Sequence, residues 1–409
     1  RETKLLRHST SRLKMKQGTS VALLNGIMKV ILDRELFNRN IVSKIPGFSE
    51  FESSLKNYTP DRAAKITGIS EEELLSTAET LAKAKSRLIS LTIGLTENTK
   101  GADTVLAAAN LIILLGEETD ALQIPAEYAN TYGLSSMGFR PDEGGVRGKN
   151  IFDMLYKQGP VHALYIMGED PVSAFPDNSI IIKTLKSLDL LVVQDIAMTE
   201  TAKLAHVVLP ASGWAEKEGT FINAEGIPQR LKKVVDAPGQ SLPDWQILRN
   251  LSLSMGKEIA VRNVEDVSEE IKNTIRREQL MSGKRVFNPV SYSPGEEPDN
   301  EYPLSLVTRD VLQHSGTMST RSKALDLVIS EAFLEINDED ARKFSISDGS
   351  HIKVTSRRGI VYLKAKISDA VPSGTVFTSG HFPHGRVNTL TNISGNGTAC
   401  TDAVKIEAV

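Results

Sequence analysis

Three short apolar runs, 163–167, 188–193 and 206–209, each end in a polar or glycine-bearing turn, and the stretch 161–230 that carries them organises the chain. Near-continuous apolar residues of this length, followed by a loop, read as parallel strands buried on both faces. In such sheets a ligand lies beyond the carboxyl ends of the strands. The turns at 168–171, 194–201 and 220–225 therefore predict one shared crevice.

Helical periodicity dominates before that stretch. Thr19 or Ser20 is placed to cap a helix reaching about Leu36, with Ala22, Leu23, Ile27, Val30 and Ile31 as its apolar stripe. Thr59 with Pro60 opens a second helix, because Pro suits the first turn. Ser70 followed by Glu73 is a capping box for a third, running to about Ala84. A strand over 88–93, a loop over 94–101 and a helix over 102–115 repeat the strand–loop–helix rhythm. Residues 122–145 read as a long polar connection that lines a site or wraps a neighbour. A short helix over 150–156, one starting at Leu242-Pro-Asp244 and one over 267–280 complete this part.

After 289–303 (PVSYSPGEEPDNEYP), which is rich in Pro and acids and reads as a linker, the texture changes. Segments 304–308, 333–336, 351–356, 360–367 and 375–378 alternate apolar and polar residues between Gly- and Pro-bearing turns, with Asn337 capping one embedded helix. That pattern predicts a small β-barrel. The expected architecture is α/β: a doubly wound, Rossmann-like, mostly parallel sheet body over 1–288, then the linker, then a six-stranded-type β-barrel over 304–409. A subdivision of the body falls near 100–145.

Composition narrows the function classes. The 409 residues hold 40% hydrophobic and 24% charged positions, ordinary for a globular protein of two or three domains. No apolar run reaches the roughly 18 residues that a bilayer span needs. The net charge of −3 gives no whole-chain case for nucleic acid. One cysteine, Cys400, excludes an internal disulfide and any multi-cysteine cluster within these residues. The basic start, with six Lys or Arg in residues 1–16, lacks the apolar core of a signal peptide. These features are read as a cytoplasmic protein, and the missing initiator Met as the mark of a piece of a longer chain.

Candidate chemistry collects in the loops. Gly168 permits close backbone approach, and Glu169, Asp170 and Asp195 can accept from sugar hydroxyls or a guanine edge. Thr199 and Thr201 either add hydroxyls or cap the helix at 202–204. Thr220, Asn223, Glu225 and Gln229 are a polar cluster or plain turn chemistry. In the barrel, Arg309 and the run His314-Ser-Gly-Thr-Met-Ser-Thr-Arg321 follow the first strand, and Ser315, Thr317, Ser319 and Arg321 suit a phosphate or diphosphate. His381 and Asn388 belong to a second polar loop. There is no P-loop, nucleophile elbow or complete dinucleotide fingerprint.

At these residues the chain resembles the molybdopterin oxidoreductase family. MGEDPVSAFPD, QDIAMTETAKLAHVVLPASGWAEKEGTFINAEG, PDWQIL, HSGTMSTRSKAL and INDEDARKFSISDGSHIKVTSRRG occur in the family's order. The resemblance implies that Gly168, Glu169, Asp170, Pro171, Gln194, Asp195, Thr199 and Thr201 hold half of a bis-guanylyl molybdopterin cofactor. Arg309, His314, Thr317, Met318, Ser319, Arg321, His381 and Asn388 contribute from the barrel. It implies no catalytic residue and no metal ligand in these residues; molybdenum or tungsten follows only if the full-length subunit is catalytic. Iron–sulfur clusters belong to another part of the protein or to partner subunits of a redox complex. Two branches of the family are similar to the chain. One is the large iron–sulfur subunit of NADH–quinone oxidoreductase (complex I), on the glycine-rich 144–150; the other is the formate dehydrogenase catalytic subunits. Glu127, and Asp402 with its neighbours in place of a lysine-bearing segment, depart from the formate dehydrogenase pattern. The expectation is a region of the complex I type with a degenerate cleft, the formate dehydrogenase reading being the alternative.

Overall fold

A computed structural model describes residues 4–92, 95, 101–124, 128–139, 148–157, 161–223, 225–274, 285–308, 311–383, 385–392 and 402–409. The helix Ser20–Asp33 is the hub of the first part, packed by Pro60–Thr67, Glu71–Lys83 and Gly101–Leu114. Gly26 sits mid-helix, where glycine weakens helices, because a Cβ there would lie 2.6 Å from the Ala63 Cβ. Packing at that crossing outweighs helix propensity. The Ser70–Glu73 capping box forms, and Thr59 accepts from the Arg62 N–H. Thr19 does not cap: its hydroxyl donates to the Lys16 carbonyl at 2.6 Å, and the helix ends at Asp33 rather than near Leu36.

The supposed connection at 122–145 contains structure. β2 (Leu122–Gln123) pairs in parallel with β1 (Ile89–Ser90), and Thr131–Ser136 is a helix. Its polar composition hid both, since a two-residue strand shows no periodicity. The strand expected at 88–93 is likewise reduced to those two paired residues. The helix expected over 267–280 starts earlier, at Val264, and is described to Thr274; residues 275–280 lie outside the described set.

The organising stretch forms a three-stranded parallel sheet, β3 (Ala163–Met167), β4 (Leu190–Asp195) and β5 (Val207–Pro210), in register Met167↔Gln194↔Leu209. One face packs on the helix Asn178–Lys186, through Ile166, Leu191 and Val193 against Ile181 and Leu185. The other face is open, with Tyr165 38%, Met167 43%, Leu190 43% and Val207 43% exposed. Burial on both faces, expected from the apolar runs, is therefore corrected: among the described residues the second face leaves these four side chains exposed, although Gln194 on it is buried against Asp244. Residues 220–225 are not a free loop either. They form much of a hairpin, β6 (Gly219–Ile222) against β7 (Pro228–Leu231), whose turn is held by Asn223 Oδ1 accepting from the N–H groups of Glu225 and Ile227.

Residues 304–408 close into a barrel of β8 (Leu304–Thr308), β9 (Phe333–Ile336), β10 (His351–Ser356), β11 (Ile360–Ile367), β12 (Thr375–Thr378) and β13 (Asp402–Ala408). The order is β10-β11-β9-β12-β8-β13, and β13 returns to β10. Inward residues such as Leu306, Leu334, Ile336, Ile352, Val354 and Val404 fill it. Asn337 caps the embedded helix by accepting from the Glu339 N–H.

The segment before the barrel is a strap rather than a free tether. Phe287 stacks on Phe51 with centroids 4.4 Å apart, and Asn25 donates to the Val290 carbonyl. Asn110, the one polar residue in the apolar run 105–115, exchanges two bonds with the Asn288 backbone at 2.7 and 3.0 Å. A buried amide needs such partners. Among the described residues no helix is long and apolar enough to cross a membrane.

Candidate functional site

The segments that follow β3 and β4 meet two loops of the barrel. Gly168, directly after β3, has φ +66°, and its N–H donates to the Gln194 carbonyl at 2.9 Å. A Cβ at Gly168 would meet nothing within 4 Å. The glycine is therefore required by backbone conformation, not by crowding, and its peptide borders open space.

Several of the expected side chains are committed to neighbours. Asp170 is buried and its Oδ1 accepts from the Thr201 N–H at 2.9 Å and from the Thr201 hydroxyl at 2.6 Å. Thr201 Oγ1 in turn accepts from the Val172 N–H at 3.1 Å. This ties the loop after β3 to the loop after β4. Thr199 Oγ1 accepts from the Ala202 N–H at 3.0 Å, which is the capping alternative. Gln194 is fully buried: its side-chain oxygen accepts from the Tyr165 hydroxyl, and its Nε2 donates to Asp244 Oδ1 at 2.7 Å. Lys217 pairs with the same Asp244. Pro171 starts a one-turn helix, and Glu169 Oε1 accepts from the Asp170 N–H.

Asp195 differs from these. It ends β4, is 7% exposed, and its Oδ1 accepts from the Ala197 N–H at 3.2 Å. Burial pushes its carboxyl above the ordinary aspartate value; the N–H donors of Ala197 and Ile196 and the Arg321 guanidinium pull the other way, and Asp170 adds to the rise. Arg321 belongs to the barrel, and its Nη2 donates to the Met198 carbonyl at 3.2 Å. The barrel loop thus reaches over the loop after β4 and brings a cation toward a buried carboxylate.

The barrel rim is built by topology. β8 and β12 run parallel, so the loops that follow both strands emerge at the same end. The His314 and His381 rings lie 5.3 Å apart, both 3% exposed, with Phe382 edge-on to His314 at 5.0 Å. His314 Nε2–H donates to the Ile329 carbonyl at 2.8 Å, and its Nδ1 faces Ser319 Oγ at 3.1 Å. Thr317 and the exposed Met318 lie on the short helix Gly316–Ser319 between them. Asn388 does not face solvent: its Nδ2 donates to the Ser173 carbonyl at 2.6 Å, and its own carbonyl accepts from the Asp177 N–H at 2.9 Å. Arg309, Glu127 and the glycine-rich 144–147 lie outside the described residues.

The structure thus gathers Gly168, Glu169, Asp170, Gln194, Asp195, Thr199 and Thr201 at one sheet end and brings Arg321 and Asn388 to them. It does not bring in the 220–229 cluster as a free loop; the hairpin is tied instead to Asn130, whose Oδ1 accepts from the Ile222 N–H. Sequence reasoning missed four residues. Tyr165 and Asp244 fix Gln194, and Asp244 looked like a simple helix start. Ser212, after β5, is fully buried, and its hydroxyl has no hydrogen-bond partner among the described residues. Ser379, after β12, is in the same state. Buried hydroxyls without partners at strand ends are the signal of a polar ligand, and no sequence pattern carries it. Among the described residues no three His, Cys, Asp or Glu side chains group as a metal site.

Asp402, expected to mark an altered cleft, lies elsewhere. It is buried beneath the 385–392 loop, where its Oδ1 accepts from Arg358 Nη2 at 3.0 Å and from the Asn392 N–H at 2.8 Å.

Comparison with known proteins places this geometry. A profile described as Molybdopterin oxidoreductase matches residues 1–253, and one described as Molydopterin dinucleotide binding domain matches residues 304–407. The chain is 34% identical to an F420-dependent formate dehydrogenase subunit alpha of Methanocaldococcus jannaschii, over 96% of this chain and 68% of that protein. It is 28% identical to formate dehydrogenase H of Escherichia coli, over 95% of this chain and 64% of that one. Acetylene hydratase from Pelobacter acetylenicus shares the fold, with TM-score 0.80, 18% identity, and coverage of 100% of this chain and 73% of that structure.

Proposed function

Because the chain belongs to the molybdopterin oxidoreductase family and is thereby an oxidoreductase chain, we propose that it is the cofactor-holding region of a formate dehydrogenase-type alpha subunit. Two of the three proteins just described carry formate dehydrogenase names, and they support this reading over a subunit of an NADH–quinone oxidoreductase. The same reading divides the chain into an α/β region over 1–288, a connecting strap over 289–303 and a dinucleotide-binding barrel over 304–409.

One observation carries the assignment. An open, left-handed Gly168 and the buried Asp195 at the sheet end stand beneath Arg321 from the barrel. A guanylyl pterin needs that set: backbone that admits close approach, a carboxylate for the base or ribose, and a guanidinium for the diphosphate. The partnerless hydroxyls of Ser212 after β5 and Ser379 after β12 fit the same group. In this reading Gly168 lets the ligand reach the backbone. Asp195 accepts hydrogen bonds from the nucleotide, and Arg321 pairs with phosphate oxygens. Asp170, Gln194, Thr199, Thr201, His314, Ser319 and Asn388 keep these loops in place. Glu169, Pro171, Thr317, Met318 and His381 line the remaining walls. When bound, the cofactor supplies the redox centre that takes electrons from substrate, through molybdenum or tungsten. Iron–sulfur clusters that would carry the electrons onward would be held outside the described residues, on the rest of the subunit or on its partner subunits.

Metal and pterin analysis of the full-length subunit, purified with its partners, tests the proposal. Near-stoichiometric molybdenum or tungsten with guanylyl pterin, and formate-driven reduction of an artificial acceptor, are the expected results. A folded complex free of metal and pterin overturns it.

A further inference from the structure

Behind the cleft lies a buried charge cluster that none of the foregoing uses. Arg358, in the turn between β10 and β11, reaches three separate segments. Its Nη1 donates to Glu296 Oε2 of the strap at 2.7 Å, its Nη2 to Asp402 Oδ1 of β13 at 3.0 Å, and its Nε to the Leu390 carbonyl at 3.0 Å. A planar guanidinium can satisfy such a spread of acceptors, whereas an ammonium cannot. Asp402 is 1% exposed and also accepts from the Asn392 N–H; its Oδ2 has no hydrogen-bond partner among the described residues.

Leu390 and Asn392 belong to the loop 385–392, and the other side of this loop docks the barrel on the sheet region. Asn388 bonds Ser173 and Asp177 as described, and Thr389 Oγ1 donates to Asn178 Oδ1 at 3.2 Å. Those three residues follow Gly168-Glu-Asp170 in the chain. One loop therefore has the charge cluster on its inner side and the helices behind the Gly168 turn on its outer side.

We infer that Arg358 and Asp402 are positioning residues that hold the loop 385–392 in its docking conformation and so set the width of the cleft between barrel and sheet. The consequence for ligand binding rests on the function proposed above; the docking itself does not.

Protonation follows from the burial of this cluster. Burial raises Asp402 to about 7; Arg358 and the Asn392 N–H oppose that rise, and Glu296 adds to it. Glu296 is itself paired with Arg357 and Arg358. β8 faces Asp402 with Leu306 and contributes no titratable side chain. On its own strand, Lys405 sits near the Tyr302 ring. Releasing the loop hydrates Asp402 and lowers its proton affinity toward the ordinary value of about 4. The docked state then binds more protons between about pH 4 and 7, so docking weakens as pH rises through that window and levels off above it.

Hydrogen–deuterium exchange on the full chain without cofactor, corrected for intrinsic rates, reads this directly. In the unsubstituted chain, protection of the 386–392 amides and of Asp177 falls by up to about tenfold per pH unit between pH 5 and 7. Asp402→Asn, which keeps an acceptor oxygen but cannot ionise, gives a flat profile. Arg358→Ala loosens both regions at every pH while leaving β10–β11 protected. If that variant does not fold, Arg358→Lys serves, with loosening again expected because one ammonium cannot span three acceptors. An Asp402→Asn profile that tracks the unsubstituted chain overturns the inference, as does unchanged protection in Arg358→Lys. If the docking responds as stated but the full complex holds no pterin, the proposed function fails and the positioning role stands.

Discussion

Two sheets of this chain, the barrel and the parallel sheet after it in size, meet opposite fates. The barrel pairs every strand on both sides, β13 closing on β10, and its inward residues reach 0% exposure at Leu334, Ile336 and Ile352. Among the described residues the parallel sheet has three strands, two edges, and a face where Tyr165, Met167, Leu190 and Val207 meet solvent. Closure satisfies a sheet from within, whereas an open parallel sheet depends on other elements to cover it. The contrast bears on the proposed site. The self-contained barrel presents its rim as a preformed wall, and the open sheet presents its strand ends, and the proposed ligand site lies between the two.

The largest expected effect separates the two sheets outright. Leu334→Ala empties a fully buried site in the barrel and should cost about 2–5 kcal/mol in urea unfolding; a loss under about 1 kcal/mol would mean that the barrel core is not close-packed. Thr201→Val comes next. It leaves the Val172 N–H without its acceptor and takes one donor from Asp170, so about 1–3 kcal/mol should be lost, with loosened exchange in the loops after β3 and β4. Gly168→Ala should follow at about 1–2 kcal/mol, from φ alone, since the added methyl clashes with nothing. An unchanged midpoint for that variant would deny the left-handed backbone at this turn. Smallest is Met167→Ala on the open face, expected within about 0.5 kcal/mol of the parent. A loss as large as that of Leu334→Ala would show that the face is covered in the isolated chain, and would erase the comparison.

The same contrast governs how far the sequence could be read. Five barrel strands matched their alternating segments to the residue, because one wet and one dry face write a period of two into the chain. The sixth, Asp402–Ala408, went unassigned; it begins in the buried acid Asp402, which reads as polar although Arg358 pairs it. In the body, the apolar runs located β3, β4 and β5 within about two residues, yet suggested burial on both faces. Apolar composition does not say whether a covering element is present. At the site, Gly168 and Asp195 were legible as a glycine and an acid after apolar runs. The buried Ser212 hydroxyl, the Tyr165–Gln194–Asp244 chain and the Arg358 hub were not. They join residues far apart in sequence, and only folding reveals such partnerships.

The central claim is that sheet end and barrel rim together hold one guanylyl pterin. Its most direct test is the guanine nucleotide released on acid denaturation of the partner-assembled subunit, compared with its Arg321→Glu variant. Arg321 is exposed, and among the described residues its guanidinium makes one hydrogen bond, to the Met198 carbonyl, so the variant should fold with an unchanged melting temperature. The account predicts near-stoichiometric nucleotide from the parent and a loss of most of it from the variant. Equal nucleotide from both would contradict it.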